Sequence, residues 1–189
     1  QSPLGKAEWL KLYGVLFGKE KEANQLFDNI VKEYNDAVKL VASQKPTSTV
    51  LYGSMYQDQW YVAKGSSWVA QFMKDAKGDY LWKDLEGTGS LGLSFENILE
   101  KAKTANFWIA TGSFKSLTEL KNANPHYSQF DAFSNKNIYT FEGKMGATGG
   151  TIFYELSPSR PDLVLKDYIK IFHPELLTDY TFTFATKLN

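Results

Sequence analysis

Apolar residues in the first forty positions recur at helical spacing. Ala7, Leu10, Leu12, Val15 and Leu16 make one run, which Gly18 interrupts. Ala23, Leu26, Phe27, Ile30, Tyr34, Ala37, Val38 and Val41 make a second, with lysine and glutamate between them. A one-sided stripe of this kind predicts an amphipathic helix over 20–42. At 1.5 Å per residue it reaches roughly 33 Å, about the width of a small domain, so it is long enough to act as a strut. Pro46 ends it.

Beyond Pro46 short apolar runs alternate with helical patterns. Strands are predicted at 48–52, 80–82, 107–111 and 138–141. Between the first two, residues through Trp60 and Tyr61 read as a polar, aromatic loop. Ser67 then caps a helix carrying Trp68, Val69, Phe72, Met73 and Ala76, which Gly78 closes. Ser94 caps another, with Phe95, Ile98, Leu99 and Ala102 on one face and Glu96 and Glu100 pointing away. Ser116 and Glu119 have the spacing of a capping box, and Pro125 restarts the chain after the short helix they open. Pro161 opens the last helix and Pro174 stops it. Strands alternating with helices of about ten residues predict βαβ units. The expected fold class is α/β: a Rossmann-like three-layer lobe around a mainly parallel sheet of four or five strands. Residues 1–45 are the helical N-terminal part and 46–189 the lobe proper.

Composition narrows the chemistry. Lysine plus arginine and aspartate plus glutamate each total 21 in the 189 residues, and Arg160 is the one arginine. With no net charge to neutralise phosphates and no arginine cluster to read guanine, nucleic acid is not an expected partner. The absence of cysteine excludes disulfides, thiol catalysis and thiolate metal sites. No apolar run reaches membrane-span length, and no signal peptide is evident, which fits a processed or truncated product. Aromatic residues are frequent at 15%. They belong either to a tryptophan-rich core or to an aromatic binding surface.

The catalytic and cofactor motifs are poor. Gly87-Thr88-Gly89-Ser90-Leu91-Gly92 spells the dinucleotide fingerprint G-x-G-x-x-G. Four residues separate it from the preceding strand, and the next strand ends in Thr111-Gly112-Ser113 without the ribose-binding acid. It reads as a flexible loop, and no cofactor is expected. Thr88 also breaks the nucleophile-elbow pattern around Ser90. His126 and His173 are far apart and each sits beside a proline, which suits structural histidines. The chain is therefore expected to bind rather than to catalyse, and no metal ligands are assigned. The segment from Tyr52 to Trp68 follows a strand and leads into a helix, where ligands sit in open parallel sheets. Tyr56, Trp60 and Trp68 are the candidate aromatic wall there. Ser66 and Ser67 are candidate donors of hydroxyls and free N–H groups at the helix start. The glycine-rich loop 143–150 is a candidate for the same cleft.

The segments as a set resemble the C-terminal lobe of ABC-transporter solute-binding proteins for iron–siderophore complexes, haem and cobalamin, in particular the Bacteroidetes-like iron-complex type. The matching stretches are Ser2-Pro3-Leu4-Gly5-Lys6-Ala7-Glu8-Trp9, Trp60-Tyr61-Val62, Trp68-Val69-Ala70-Gln71, Leu93-Ser94-Phe95-Glu96, Phe107-Trp108-Ile109 and Phe130-Asp131-Ala132-Phe133. The longest is Arg160-Pro161-Asp162-Leu163-Val164-Leu165-Lys166-Asp167, running into His173-Pro174-Glu175. The resemblance implies a periplasmic protein, anchored as a lipoprotein at full length, whose two lobes are joined by one rigid helix and hold a small-molecule metal chelate between them. It implies that the 20–42 helix is that strut and that an N-terminal lobe is missing from this chain. A membrane permease is the implied second partner, docked through Glu96 in the S-x-E position. An α/β enzyme subdomain of metal-chelatase-like type is the alternative from a different class.

Overall fold

The computed structural model describes residues 2–46 and 48–189; Gln1 and Thr47 lie outside the described residues. Three helices open the chain: α1 (Pro3–Ala7), α2 (Trp9–Leu16) and α3 (Glu20–Leu40). Ser2 caps α1 by accepting the Gly5 N–H at 3.1 Å. Gly18, with φ 63°, turns the chain from α2 into α3. The C-terminal half of α3 buries Ile30, Tyr34 and Ala37, spaced to share one face. Its N-terminal half packs beside α2, where a Cβ on Gly14 would stand 2.5 Å from the Ala23 methyl.

The lobe follows in the order β1 (Ser48–Tyr52), β2 (Ser54–Tyr56), β3 (Gln59–Ala63), α4 (Trp68–Asp75), β4 (Gly78–Tyr80), β5 (Ser90–Leu93), α5 (Phe95–Ala102), β6 (Phe107–Ile109), α6 (Leu117–Ala123), α7 (Asp131–Ser134), β7 (Ile138–Thr140), α8 (Ile152–Leu156), α9 (Pro161–Phe172) and β8 (Thr186–Lys187). Short 3-10 turns at Pro125–Gln129 and Pro174–Leu177 precede α7 and follow α9. The main sheet runs β4-β1-β6-β7-β8. Its first four strands are parallel, and β8 closes the edge antiparallel to β7. This is the expected mainly parallel α/β lobe.

Burial follows from that topology. Val50 and Leu51 of β1, Trp108 and Ile109 of β6, and all of β7 are buried, as parallel strands covered on both faces require. Helix α9 is the central beam, burying nine of its twelve residues. Two of the nine are acids. Asp162 is held by Arg160 through two hydrogen bonds of 3.0 and 2.7 Å. Asp167 accepts the backbone N–H groups of Thr183, Phe184 and Ala185 at 2.7–2.9 Å and the Tyr180 hydroxyl at 2.7 Å. One carboxylate thus fixes the C-terminal tail, so that β8 can reach β7.

Several sequence expectations shift. The helix opened by Ser67 does close near residue 76, but the left-handed residue is Lys77 (φ 59°), while Gly78 begins β4. Gly78 is needed for another reason, since a Cβ there would lie 2.5 Å from the Phe172 ring. Glu119 accepts from the Lys115 N–H, one residue before the cap, while Ser116 accepts from the Glu119 N–H. The largest departure is a second sheet. The expected loop through Trp60 and Tyr61 is a hairpin, β2–β3, extended by β5 into the antiparallel order β2-β3-β5. The expected flexible loop 87–92 is hydrogen-bonded along its length. Ser66 and Gly65 donate to Gly87 and Leu85, Lys64 donates to Gly89, and residues 90–92 are strand β5. Its glycines lead into a strand rather than a helix, so the nucleotide fingerprint has no structural counterpart.

Candidate functional site

Strand order reverses direction between β1 and β6, because β4 lies on one side of β1 and β6 on the other. The crevice beyond the carboxyl ends of such a pair is the natural ligand position in an open parallel sheet. Here the chain leaves β1 through Gly53, whose φ is 99°. A Cβ at Gly53 would stand 2.0 Å from the Tyr61 carbonyl oxygen, so no other residue fits. Two indoles lock the turn. Trp60 Nε1 donates to the Tyr52 carbonyl at 3.2 Å and Trp108 Nε1 to the Gly53 carbonyl at 2.8 Å. Both rings are fully buried and lie 5.1 Å apart, with Tyr127 and Phe130 packed against each. These four rings form an aromatic cluster that anchors the hairpin.

Trp60, expected as part of an aromatic wall, is therefore a core residue of this lobe. Alternation along β3 turns Trp60 and Val62 inward and leaves Gln59 and Tyr61 outward. On the same outer face lie Ser54 opposite Tyr61 and Tyr56 opposite Gln59. Tyr56 is 69% exposed and Tyr61 41%, an open surface of two phenols and an amide.

A cleft of about 320 Å³ adjoins this face, lined by Tyr52, Tyr61, Ser67, Trp68, Thr88 and Ser90 with Ala63, Val69 and Gly89. Ser67 and Trp68 of the expected set are here; Tyr56, Trp60 and Ser66 are not. The backbone N–H groups of Ser66 and Ser67, expected as donors at the helix start, are also committed. Ser67 Oγ accepts the Ala70 N–H at 3.1 Å, Ser67 N donates to Lys64, and the exposed Ser66 donates its N–H to Gly87. Trp68 is half-buried and engaged by its own neighbours. The Lys6 ammonium stands 3.6 Å over the ring, Phe72 meets it edge-on at 5.5 Å, and Phe153 stacks alongside at 6.3 Å. The expected three-ring wall does not form, because its members point into the core, into the cleft and out to solvent.

Residues 143–150 do not line this cleft. They close on themselves through Gly146 N–H donating to Gly150 at 2.7 Å, and Lys144 Nζ donates to the carbonyls of Phe182 and Thr183. Beside them Tyr154 donates to Glu142 Oε1 at 2.7 Å. Burial, then that hydrogen bond, pushes the Tyr154 hydroxyl up to about 12. Burial also raises Tyr52, with Tyr154 and Glu142 adding to it, so the cleft floor and this pair are electrostatic neighbours. Tyr52 and Tyr61 were missed in the sequence reading. The period-two alternation of Gln59-Trp60-Tyr61-Val62 was the signal that separates Tyr61 from Trp60.

Glu96 lies at the start of α5, exposed, with Ser94 Oγ accepting the Asn97 N–H at 3.3 Å. Its own backbone N–H, then the Ser94 hydroxyl, lower its pKa, and His126 contributes more weakly. His173 is buried with Nε2 3.1 Å from the Ala76 carbonyl oxygen, a structural contact. Among the described residues there is no group of three or more His, Cys, Asp or Glu side chains arranged to hold a metal, and no helix long and apolar enough to cross a membrane.

The cleft lies at the carboxyl end of β1, between β3 and the start of α4. The family model described as "Periplasmic binding protein" matches residues 3–144, and the chain belongs to that family. It is 32% identical over 192 residues to an uncharacterized lipoprotein of Methanocaldococcus jannaschii, covering 99% of this chain and 43% of that one. The chain spans about half the length of the curated relatives it matches. Among solved structures it resembles a possible iron-binding (periplasmic solute-binding) protein of Staphylococcus epidermidis (TM-score 0.68, 19% identity, 92% of this chain and 63% of that). It also resembles an ABC-type Fe3+-hydroxamate transport system protein of Saccharomonospora viridis (TM-score 0.66, 17% identity, 92% and 57%). At such identities the likeness is one of fold. These matches do not bear on a Bacteroidetes-type branch.

Proposed function

We propose that this chain is the C-terminal lobe of the solute-binding component of an ABC importer, and that the solute is a chelated metal such as an iron–siderophore, haem or corrinoid. The observation that carries the reading is the cleft at the carboxyl end of β1, walled by Tyr52, Tyr61 and Trp68 and edged by the hydroxyls of Ser67, Thr88 and Ser90. Rigid aromatic area with a few hydroxyls suits a large, partly apolar chelate better than a bare ion, which needs several convergent carboxylate or imidazole ligands. Family membership and the iron-related names of two structural neighbours support it.

The cleft is open, and the relatives are about twice as long as this chain. A second lobe of the same protein closes over the cleft, with α3 as the connecting strut. In the same reading Glu96 docks a basic residue of the membrane permease, and the protein is held at the outer face of the membrane as a lipoprotein, as two relatives are named. Tryptophan fluorescence of the full-length protein, titrated with ferric siderophores, haem and cobalamin, tests the proposal. Saturable quenching by one class is expected. Saturable binding of a sugar or amino acid, with no response to any chelate, overturns it.

A further inference from the structure

The cleft is unusual in its charge. None of the nine residues that line it is ionisable to a charged form at neutral pH, since its titratable groups are the phenols of Tyr52 and Tyr61. The nearby cations are mostly committed. Lys6 lies over the Trp68 ring at 3.6 Å, and Lys144 is bound to two carbonyls at the C-terminal tail. Arg160, the one arginine, is tied to the buried Asp162. Lys64 remains at the rim. It is half-buried, and its side chain runs beneath Gly87, where a Cβ would stand 3.2 Å from Cδ and 3.6 Å from Nζ. Against this one ammonium stand the carboxylate of Glu142, half-buried beside Tyr154 and Tyr52, and the exposed Glu86 in the loop that precedes Thr88. The rim thus carries no excess of positive charge.

Charge balance decides which chelates such a surface accepts. Moving an ion out of water is costly, and more so for each added charge, unless counter-charges or donors replace the hydration. A trianionic complex would meet one lysine and at least one carboxylate here. At the start of α4 the N–H groups of Ser66, Ser67 and Ala70 are already accepted within the chain, which leaves those of Trp68 and Val69, partial charges that do not match three full negative ones. A neutral chelate incurs no such cost, and the phenol and hydroxyl groups of Tyr61, Ser67, Thr88 and Ser90 are suited to its carbonyl and amide groups.

We infer that this lobe selects electroneutral metal chelates over polyanionic ones. The inference rests on the chelate-binding reading above and narrows it to a charge class. Binding of the full-length protein to two ferric complexes of similar size tests it: a neutral tris-hydroxamate and a trianionic tris-catecholate. The neutral complex is expected to bind at least 100-fold more tightly, with little dependence on salt. Thr88→Lys combined with Ser90→Lys, two cations added at exposed positions of the lining, is expected to narrow that ratio at least 10-fold. A tris-catecholate bound as tightly as the tris-hydroxamate, or more tightly, overturns the charge selection while leaving chelate binding intact. A double variant that folds but leaves the ratio unchanged removes this lobe as its source. If neither ferric complex, nor haem, nor cobalamin binds, the chelate-binding reading itself fails and the selectivity with it.

Discussion

The two sheets of this lobe are built from similar residues and do different things. The main sheet is covered on both faces, and its central strands present Val50, Leu51, Trp108, Ile109, Ile138 and Tyr139 to a continuous core. The three-stranded sheet has one dry face, with Trp60 and Val62, and one wet face, with Tyr56, Gln59 and Tyr61. Adjacent residues of β3 therefore have opposite roles. Burying the Trp60 indole stabilises the fold, while the neighbouring Tyr61 phenol costs nothing to expose and is left available to a ligand. The proposed binding surface is the outer side of a hairpin whose inner side is the core.

Substitutions sharpen that contrast. The largest effect is expected on the covered side, at Asp167. Alanine there leaves three backbone N–H groups without their acceptor, at about 1–3 kcal/mol for each that stays buried. Asp167→Ala should lose at least ~3 kcal/mol in urea denaturation, and Asp167→Asn, which keeps one acceptor oxygen, should lose less. Equal stability of both with the parent would remove the tail-fixing role. Trp60→Ala comes next, at ~3–5 kcal/mol for a large buried ring in a packed core. It should also disorder the Gly53 turn, visible as loss of the near-ultraviolet tryptophan dichroism.

Tyr61→Ala, one residue on, should change stability by no more than ~0.5 kcal/mol. In the full-length protein it should weaken chelate binding about tenfold, or ~1.4 kcal/mol. If Tyr61→Ala unfolds the lobe, or if binding is untouched, the division of labour along β3 is wrong. Glu96→Lys should leave both fold and ligand affinity unchanged and slow permease-dependent uptake, because rim charges act mainly on association. Uptake at the parent rate across low and high salt would return Glu96 to an ordinary helix-start acid.

The smallest expected effect lies where α3 meets α9. Lys166 Nζ donates to Glu33 Oε2 at 2.6 Å, and that bond holds the Glu33 carboxyl below its usual range. With a depressed folded-state pKa, the pair contributes stability above the unfolded glutamate pKa of about 4.3 and loses it as pH falls through the lower folded value. Both side chains are partly solvated, so the contribution is ~0.2–1 kcal/mol at most. Glu33→Gln should lower stability at neutral pH by about that amount, and its difference from the parent should vanish as pH falls below ~4. A loss that is the same at every pH would assign it to packing instead.

Periodicity and punctuation in the sequence determined the scaffold. The helical stripe of Ile30, Tyr34 and Ala37, the serine caps at 67, 94 and 116, and the prolines at 161 and 174 each act within a few residues, so they are readable without tertiary context. The parallel sheet followed from their alternation. Ser67 and Trp68 were placed at the cleft for the same reason, since the turn from a strand to a capped helix is a local event. What only the tertiary structure decided are choices between equivalent local readings. Whether Trp60 or Tyr61 faces the core depends on which side of the hairpin meets Trp108 and Phe130, more than forty residues away in the chain. Whether Gly87–Gly92 opens a helix or feeds a strand depends on the edge that β3 offers it. Asp167 reads as an ordinary helix acid until the tail folds back and surrounds it with donors. In each case the deciding partner is distant in sequence, and burial, which no local pattern encodes, selects the outcome.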